Sequence, residues 1–339
     1  MTFLLELKEK MRRFYIKFSH WLLPVFKCAL AMSVFMLINE NIGFLPVFKN
    51  IFVMLIMALV CALVSLKVMA VFAGLLIIGH CYALGIEVAA FASVVFILLF
   101  VFVSRFVEKE SFALLVTPIA CMLGIPCAVP VGLGLKGKPQ SALAVCSGTF
   151  VYYMIKILKE KAQVLQGLEK PDVVENVRLL LDAVVKNKEI VLSMGVMTIV
   201  LILVYILRRL AIDHAWSIAA FVGAAVYAAL TIAGGMFLDV EIRMMTVLLG
   251  AFGALIVDLI LVYFILSVDY TRTERLEFED DEYYYYVKAV PKMSISKYQK
   301  QVKTIVVEPG ENILGENREP AEYDETDLEK KLEESLREL

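Results

Sequence analysis

Residues 50–105 read NIFVMLIMALVCALVSLKVMAVFAGLLIIGHCYALGIEVAAFASVVFILLFVFVSR. Inside this apolar run, the charged side chains are Lys67 and Glu87. A membrane-spanning helix needs about 20 apolar residues to cross roughly 30 Å of hydrocarbon. The run is therefore too long for a single helix, and it predicts hairpins with tight turns at the two charges.

The same length criterion, applied outward from this run, predicts an all-α integral membrane bundle of about eight spans. A ninth span is the alternative if residues 112–135 also cross completely. The predicted spans are about 20–38, 48–66, 68–86, 88–104, 140–157, 189–207, 215–235 and 244–267.

Composition supports the same fold class. Of the 339 residues, 60% are hydrophobic and 20% are charged, whereas soluble domains average about 45–50% apolar and 25% charged residues. The net charge of −2 creates no basic field that would attract nucleic acid. These values exclude an ordinary cytosolic enzyme, a disordered chain and a nucleic-acid-binding domain.

Charge and periodicity divide the chain into six segments. The polar insert carries apolar residues at helical spacing, which predicts an amphipathic helix within it. The segments are an amphipathic interfacial helix at 1–19, a first bundle part at 20–157, the polar insert at 158–188, a second bundle part at 189–268, an acidic-aromatic tail at 269–305, and a linker with a short helix at 306–339.

Residues 112–135 differ from the other apolar segments because prolines and glycines interrupt them. Pro118, Pro126 and Pro130 make one straight helix improbable, since each removes a donor and clashes with the preceding turn. Non-helical backbone persists at membrane depth only where protein or a water-filled cavity satisfies it. We therefore expect a re-entrant or discontinuous helix that contributes to a substrate path, with Thr117 supplying a hydroxyl group. A packing kink is the alternative.

Asp258 is the carboxylate that lies well inside a predicted span. An ionised residue at that depth costs at least about 2.5–3.5 kcal/mol, so it normally faces the bundle interior and has a partner. The functional interpretation is a site that couples transport to a proton or a cation. The alternative is a structural pair with Lys27 or His80. His80 is itself a second candidate for the ion path, or a hydrogen-bonded packing residue.

The tail is acidic and aromatic. Leu276 and Phe278, the acidic run 279–282 and the tyrosines after it predict a β-hairpin with an acidic turn. Two tyrosines would lie on each face of the second strand, and a short leucine helix opens at the capping box of Thr326. The candidate partner-docking residues are Tyr283, Tyr284, Tyr285, Tyr286, Leu328, Leu332 and Leu336.

Topology follows from the distribution of basic residues, which are enriched in cytoplasmic loops. The amino-terminal segment is basic, so we expect it to be cytoplasmic. The overall count slightly favours nine spans with the tail outside. The broken segment and the Arg208–Arg209 pair favour eight spans with both termini cytoplasmic, which is the topology adopted here.

No nucleotide-binding, hydrolase or zinc-protease motif occurs in the sequence. We therefore expect no enzyme activity, no cofactor and no metal. The expected partners are the lipid bilayer and a protein that binds the tail. The leading functional hypothesis is a permease for a small solute or ion, and the alternative is a scaffold or a membrane subunit of a larger complex.

Four stretches of the sequence are distinctive: TPIACMLGIPCAVPVGL (117–133), KNKEIVLS (186–193), ILRRLAIDHAW (206–216) and DYTRTERLEFEDDEYYYYVKAVPKM (269–293). They resemble an uncharacterised family of multi-pass membrane proteins from Firmicutes, chiefly Clostridia. The resemblance covers nearly all of the chain to about residue 305, and it implies a bacterial cytoplasmic membrane location without any transferable site residue.

Overall fold

A computed structural model describes residues 2–106, 110–166, 173–210, 212–265, 274–280 and 282–289. These residues form twelve helices and one two-stranded hairpin, all within one compact unit. The helices are α1 (Thr2–Ile42), α2 (Pro46–Lys49), α3 (Ile51–Leu63), α4 (Leu66–Tyr82), α5 (Ile86–Phe106), α6 (Ser111–Met122), α7 (Ala128–Lys136), α8 (Ser141–Gln166), α9 (Val173–Val185), α10 (Lys188–Leu207), α11 (Ala215–Leu238) and α12 (Met244–Ile265), and the strands are β1 (Glu274–Glu279) and β2 (Tyr284–Ala289).

The described residues are mostly helical, as predicted, and six helical stretches among them are long and apolar enough to cross a membrane. Two of the eight predicted spans, 48–66 and 68–86, correspond instead to the shorter helices α3 and α4. The long stretches are Arg13–Ile42, Ile86–Arg105, Ser141–Leu165, Glu175–Leu207, Ala215–Leu238 and Met244–Phe264.

The amino-terminal segment differs from the expected boundary at residue 19. Helix α1 continues without a break from Thr2 to Ile42, and Pro24 lies inside it. No glycine lies within this stretch to end the helix, so the basic segment and the first apolar segment belong to one continuous helix.

Helices α3 and α4 each pack against α1. The Asn39 side chain on α1 reaches Met54 on α3, and Lys27, twelve residues earlier, donates to the Val64 carbonyl at 3.0 Å. Helix α3 therefore runs antiparallel to α1. The turn falls at Val64 and Ser65, where the backbone is extended, so Lys67 lies just inside the first turn of α4.

The polar insert contains the predicted helix as α9, which contacts α5 and α8. Leu180 is buried, whereas Leu181 and Val185 of the predicted apolar stripe are exposed. Helix α10 then begins at Asn187, whose side-chain oxygen accepts hydrogen bonds from the Glu189 and Ile190 N–H groups as an N-cap. Helices α10, α11 and α12 pack in chain order around a core of small residues such as Ala220.

The tail hairpin is confirmed. Strands β1 and β2 pair antiparallel, with Phe278 opposite Tyr285 and Glu277 opposite Tyr286. Of the acidic run, Asp280 and Glu282 lie between the two strands, where the sequence predicts the turn. The predicted leucine helix, with Leu328, Leu332 and Leu336, lies outside the described residues.

Candidate functional site

The interrupted segment 112–135 is divided into α6 and α7 by a turn at Gly124. The Gly124 N–H donates to the Cys121 carbonyl, and the Ile125 N–H donates to the Ala120 carbonyl. This pair of bonds, with Gly124 at φ +76°, is a Schellman motif. Glycine adopts that left-handed backbone without strain, so this residue type ends α6 sharply.

Helix α6 packs closely on α8 at a glycine. Pro118 cannot donate to the Leu114 carbonyl four residues earlier, which leaves that oxygen without its usual helical partner. A Cβ atom on Gly148 of α8 would lie 3.0 Å from that oxygen and 2.6 Å from the Thr117 Cβ. Thr117 is buried, and its hydroxyl donates to the Ala113 carbonyl at 2.6 Å. Thr117 and Pro118 thus contribute to helix packing here.

Helix α7 turns back along α6. Leu133 near its end packs on the cluster that contains Ala113 and Leu114 from the start of α6. Pro130 lies in the first turn of α7, where its missing N–H leaves no helical hydrogen bond unmade. The start of α6 therefore lies near the end of α7, and the turn at Gly124 forms the tip of this pair of helices.

The tip borders a polar cavity of about 340 Å³. Gly124 and Pro126 form one wall, and α8, α10, α11 and the start of α12 form the others. Tyr227 and Thr231 line it from α11. Its volume lies within the range typical of small-molecule sites, which combine an apolar wall with a few convergent polar groups.

In this cavity, an ion pair and a pair of hydroxyl groups each connect α8 to α10. Lys156 Nζ lies 2.7 Å from Glu189 Oε2, and the Tyr153 and Ser193 hydroxyl oxygens are 2.6 Å apart. These residues are not among the predicted site residues, because Lys156 and Glu189 fall at the ends of two predicted spans, where charged side chains are common. One feature of the sequence could have predicted the pair. Lys156 and Glu189 carry opposite charges at the ends of the two spans that the polar insert connects.

Asp258 lies on α12 against the other arm of the interrupted segment. It is fully buried, and neither carboxylate oxygen has a hydrogen-bond partner among the described residues. A Cβ atom on Gly132 of α7 would lie 3.5 Å from Asp258 Oδ1, so the carboxylate faces α7 directly. The structure thus brings together two separately predicted features, although Asp258 does not line the cavity.

Family models, curated proteins and solved structures contain no match to this chain.

His80 belongs to a different, fully satisfied network at the end of α4. Its Nε2 lies 2.8 Å from Asn39 Oδ1, and its Nδ1 accepts the Leu45 N–H at 3.2 Å. Because Nδ1 accepts, Nε2 carries the proton and donates it. The proposed pairing of Asp258 with His80 or Lys27 is therefore corrected, since His80 binds Asn39 and Lys27 binds the Val64 carbonyl.

Replacing His80 by leucine is expected to lower the free energy of unfolding by about 2–4 kcal/mol, because two buried polar groups lose their partner. The groups are Asn39 Oδ1 and the Leu45 N–H. Thermal unfolding of the purified protein in detergent measures the effect. His20→Leu, on the exposed part of α1, is the control and should change stability by less than about 0.5 kcal/mol. Equal effects of the two changes would contradict a structural role for the network.

The four tyrosines lie on or beside β2. Tyr285 stacks on Phe278 with ring centroids 5.0 Å apart, and Tyr283 lies beside Tyr285. Tyr284 and Tyr286 lie on the opposite face, where they are 70% and 77% exposed. The face with Tyr283 and Tyr285 therefore packs within the hairpin, whereas the face with Tyr284 and Tyr286 is exposed.

Asp280 organises the hairpin turn. Its Oδ1 accepts the Glu282 and Tyr283 N–H groups at 2.9 and 2.7 Å, and its Oδ2 accepts the Tyr285 hydroxyl at 2.8 Å. The hydrogen bond from Glu282, then those from Tyr285 and Tyr283, lower the pKa of Asp280. The turn therefore depends on an ionised carboxylate.

Acidification is expected to loosen this turn. Because the pKa of Asp280 is lowered by folding, its stabilising contribution is present above the unfolded value of about 3.9 and is lost as the pH falls through the lower folded value. A nuclear magnetic resonance titration of the carboxyl carbon should give a midpoint below that unfolded value. Asp280→Asn, which keeps an acceptor for the N–H groups, should remove the pH dependence. A midpoint at or above the unfolded value would contradict the assignment.

Proposed function

We propose that this protein is a permease that moves a small polar solute or an ion across the membrane. The observation that carries the proposal is the placement of the interrupted segment. Its tip at Gly124 borders a polar cavity, and its second arm at Gly132 contacts a buried carboxylate that has no hydrogen-bond partner among the described residues. Broken helices that meet a solute site and a coupling group are a recurrent arrangement in transporters.

The lengths of α6 and α7 support a re-entrant insertion of this segment. They contain 12 and 9 residues, or about 18 and 14 Å at 1.5 Å per residue, and each is shorter than the hydrocarbon core. Their outer ends pack in one cluster. A segment that enters and leaves on one side adds no crossing, so any even number of crossings by the other helices keeps both termini of the chain on the cytoplasmic side.

The cavity supplies the proposed solute site. The Lys156–Glu189 pair presents both charge signs, and the hydroxyl groups of Tyr153, Ser193 and Thr231 lie nearby. Such a set matches a small solute that carries charge or several hydrogen-bonding groups. Asp258 is the proposed coupling residue, where a bound proton or cation offsets the cost of the buried charge.

The test is solute-dependent current in proteoliposomes adsorbed on a solid support. Concentration jumps of sodium, potassium, amino acids and small dicarboxylates should give currents with at least one of these probes. The neutral pair Lys156→Gln with Glu189→Gln should reduce that current. The control is Lys186→Gln with Asp182→Asn, which removes an exposed ion pair of similar length, 2.8 Å, outside the cavity. Absence of current with every probe, or equal effects of the two pairs, would overturn the proposal.

A scaffold function is the second candidate, and the exposed Tyr284 and Tyr286 favour it. Exposed aromatic residues are typical anchors of protein interfaces. Asp258→Asn and deletion of residues 306–339 separate the candidates in a strain that lacks the native gene. Transport predicts loss of function with the substitution and tolerance of the deletion, whereas a scaffold predicts the reverse.

A further inference from the structure

Four basic side chains converge where α7 ends and where α10 ends. Lys136 is the last residue of α7 and Lys138 lies two residues beyond it, and Arg208 and Arg209 follow α10. Together with Gln140 and Tyr205 they line an open cavity of about 510 Å³. We call these four residues the basic cluster.

The basic cluster has no ion pair with any residue that the structure describes. The sequence explains why: no acidic residue occurs between Glu110 and Glu160, or between Glu189 and Asp213. Four like charges in close proximity repel one another, and they attract an anion of high charge density. The positive charges of the basic cluster are therefore not neutralised by an ion pair within the described part of the chain.

Arg208 gives the cluster a fixed geometry. Its guanidinium donates to the carbonyls of Leu135 and Gly137, and it lies 4.9 Å from the Tyr205 ring centroid and 6.0 Å from that of Trp216. A guanidinium has five N–H donors, so donors remain for an oxyanion. A positioned guanidinium beside mobile lysine ammonium groups is the usual chemistry of phosphate recognition.

The position of the basic cluster indicates which class of phosphate compound it binds. Three membrane-length helical stretches meet here, since Ser141–Leu165 begins, Glu175–Leu207 ends and Ala215–Leu238 begins. Trp216 lies at the start of the last, a typical position for an aromatic residue at the headgroup level. We propose that the basic cluster binds the phosphate headgroup of an anionic phospholipid. A bound headgroup would also hold the end of α7, because Arg208 contacts the carbonyls there.

Native mass spectrometry of the full-length protein tests this site. Dioleoyl phosphatidylglycerol is the probe, dioleoyl phosphatidylcholine is the neutral lipid, and glycerol 3-phosphate is the soluble phosphate. The wild type should retain phosphatidylglycerol in preference to phosphatidylcholine. Lys138→Gln with Arg209→Gln should lower that affinity about tenfold, as expected when two charge-assisted contacts are lost. The variant leaves Arg208 and its backbone contacts in place.

Charge-matched variants separate a site from general attraction. Lys159→Gln with Lys161→Gln removes the same charge from the opposite end of α8, and it should leave phosphatidylglycerol binding unchanged. Lys136→Gln with Lys138→Gln is a second test of the cluster if the first variant does not fold. Equal losses in the cluster and control variants would overturn the proposal. Competition by glycerol 3-phosphate that equals binding of the lipid would assign the site to a free phosphate instead and would also overturn it.

Discussion

The Asp258→Asn variant should be more stable than the wild type and should lose transport. Both carboxylate oxygens are buried without a partner among the described residues, so the native residue destabilises the fold. Removing the negative charge should raise the free energy of unfolding by about 1–3 kcal/mol, because a neutral amide costs less than a carboxylate at a buried site in an apolar helix. A residue that lowers stability at a buried site and is needed for activity has the signature of a functional group.

Two measurements on the same preparation check this prediction. Thermal unfolding in detergent gives the stability change, and solute-driven current in proteoliposomes gives the transport change. The current should fall at least about tenfold, because a neutral amide cannot take up the proton or cation that the proposed coupling role requires. Asp239→Asn is the control, because Asp239 is exposed at the end of α11 and has the left-handed backbone that asparagine tolerates.

The two readouts distinguish a structural role from coupling. A structural hydrogen bond or ion pair at Asp258 would make Asp258→Asn less stable than the wild type. Unchanged current together with a gain in stability would show that the carboxylate is dispensable. In that case the interrupted segment loses its proposed coupling partner, and the cavity remains to be tested through the Lys156–Glu189 pair.

The sequence alone predicted the interrupted segment and the unusual position of Asp258. Prolines, glycines and a charged residue are rare inside long apolar segments, so they can be recognised without a structure. Their contact was not predictable in the same way. Gly132 and Asp258 are far apart in sequence, and only the packing of α7 on α12 brings them together. The cavity was missed for a related reason, since Lys156 and Glu189 meet across two helices.

Hydropathy also overestimated two helices. The apolar residues of 48–66 and 68–86 satisfy the length of a span, but α3 ends at Leu63 and α4 at Tyr82. The backbone is extended at Val64 and Ser65, and Leu84 and Gly85 both donate to the Cys81 carbonyl in a tight turn. Hydropathy reports the solvent that a residue prefers, whereas helix ends depend on caps and turns formed by a few atoms.

The Gly250→Ala variant should lose about 3 kcal/mol of stability, at the upper end of the cost of overpacking. A Cβ atom at this position of α12 would lie 2.2 Å from the Gly124 carbonyl oxygen. That oxygen belongs to the backbone of the Schellman turn, so no side-chain rotation can relieve the overlap. The turn must move away from α12, and the wall of the polar cavity that Gly124 forms must move with it.

Gly195→Ala is the matched control for this variant. Gly195 also lies within a membrane-length helix, α10, but nothing lies within 4 Å of a Cβ atom built there. Alanine at that position should leave stability unchanged or raise it by up to about 1 kcal/mol, since glycine is the poorer helix former. Thermal unfolding of both variants measures the difference. If Gly250→Ala is as stable as Gly195→Ala, the tip does not pack on α12. A close contact between Gly250 and Gly124 would make the tip and α12 move as one unit. Asp258 lies on α12 two turns beyond Gly250. A change in the charge of Asp258 would then be transmitted through α12 to the cavity wall.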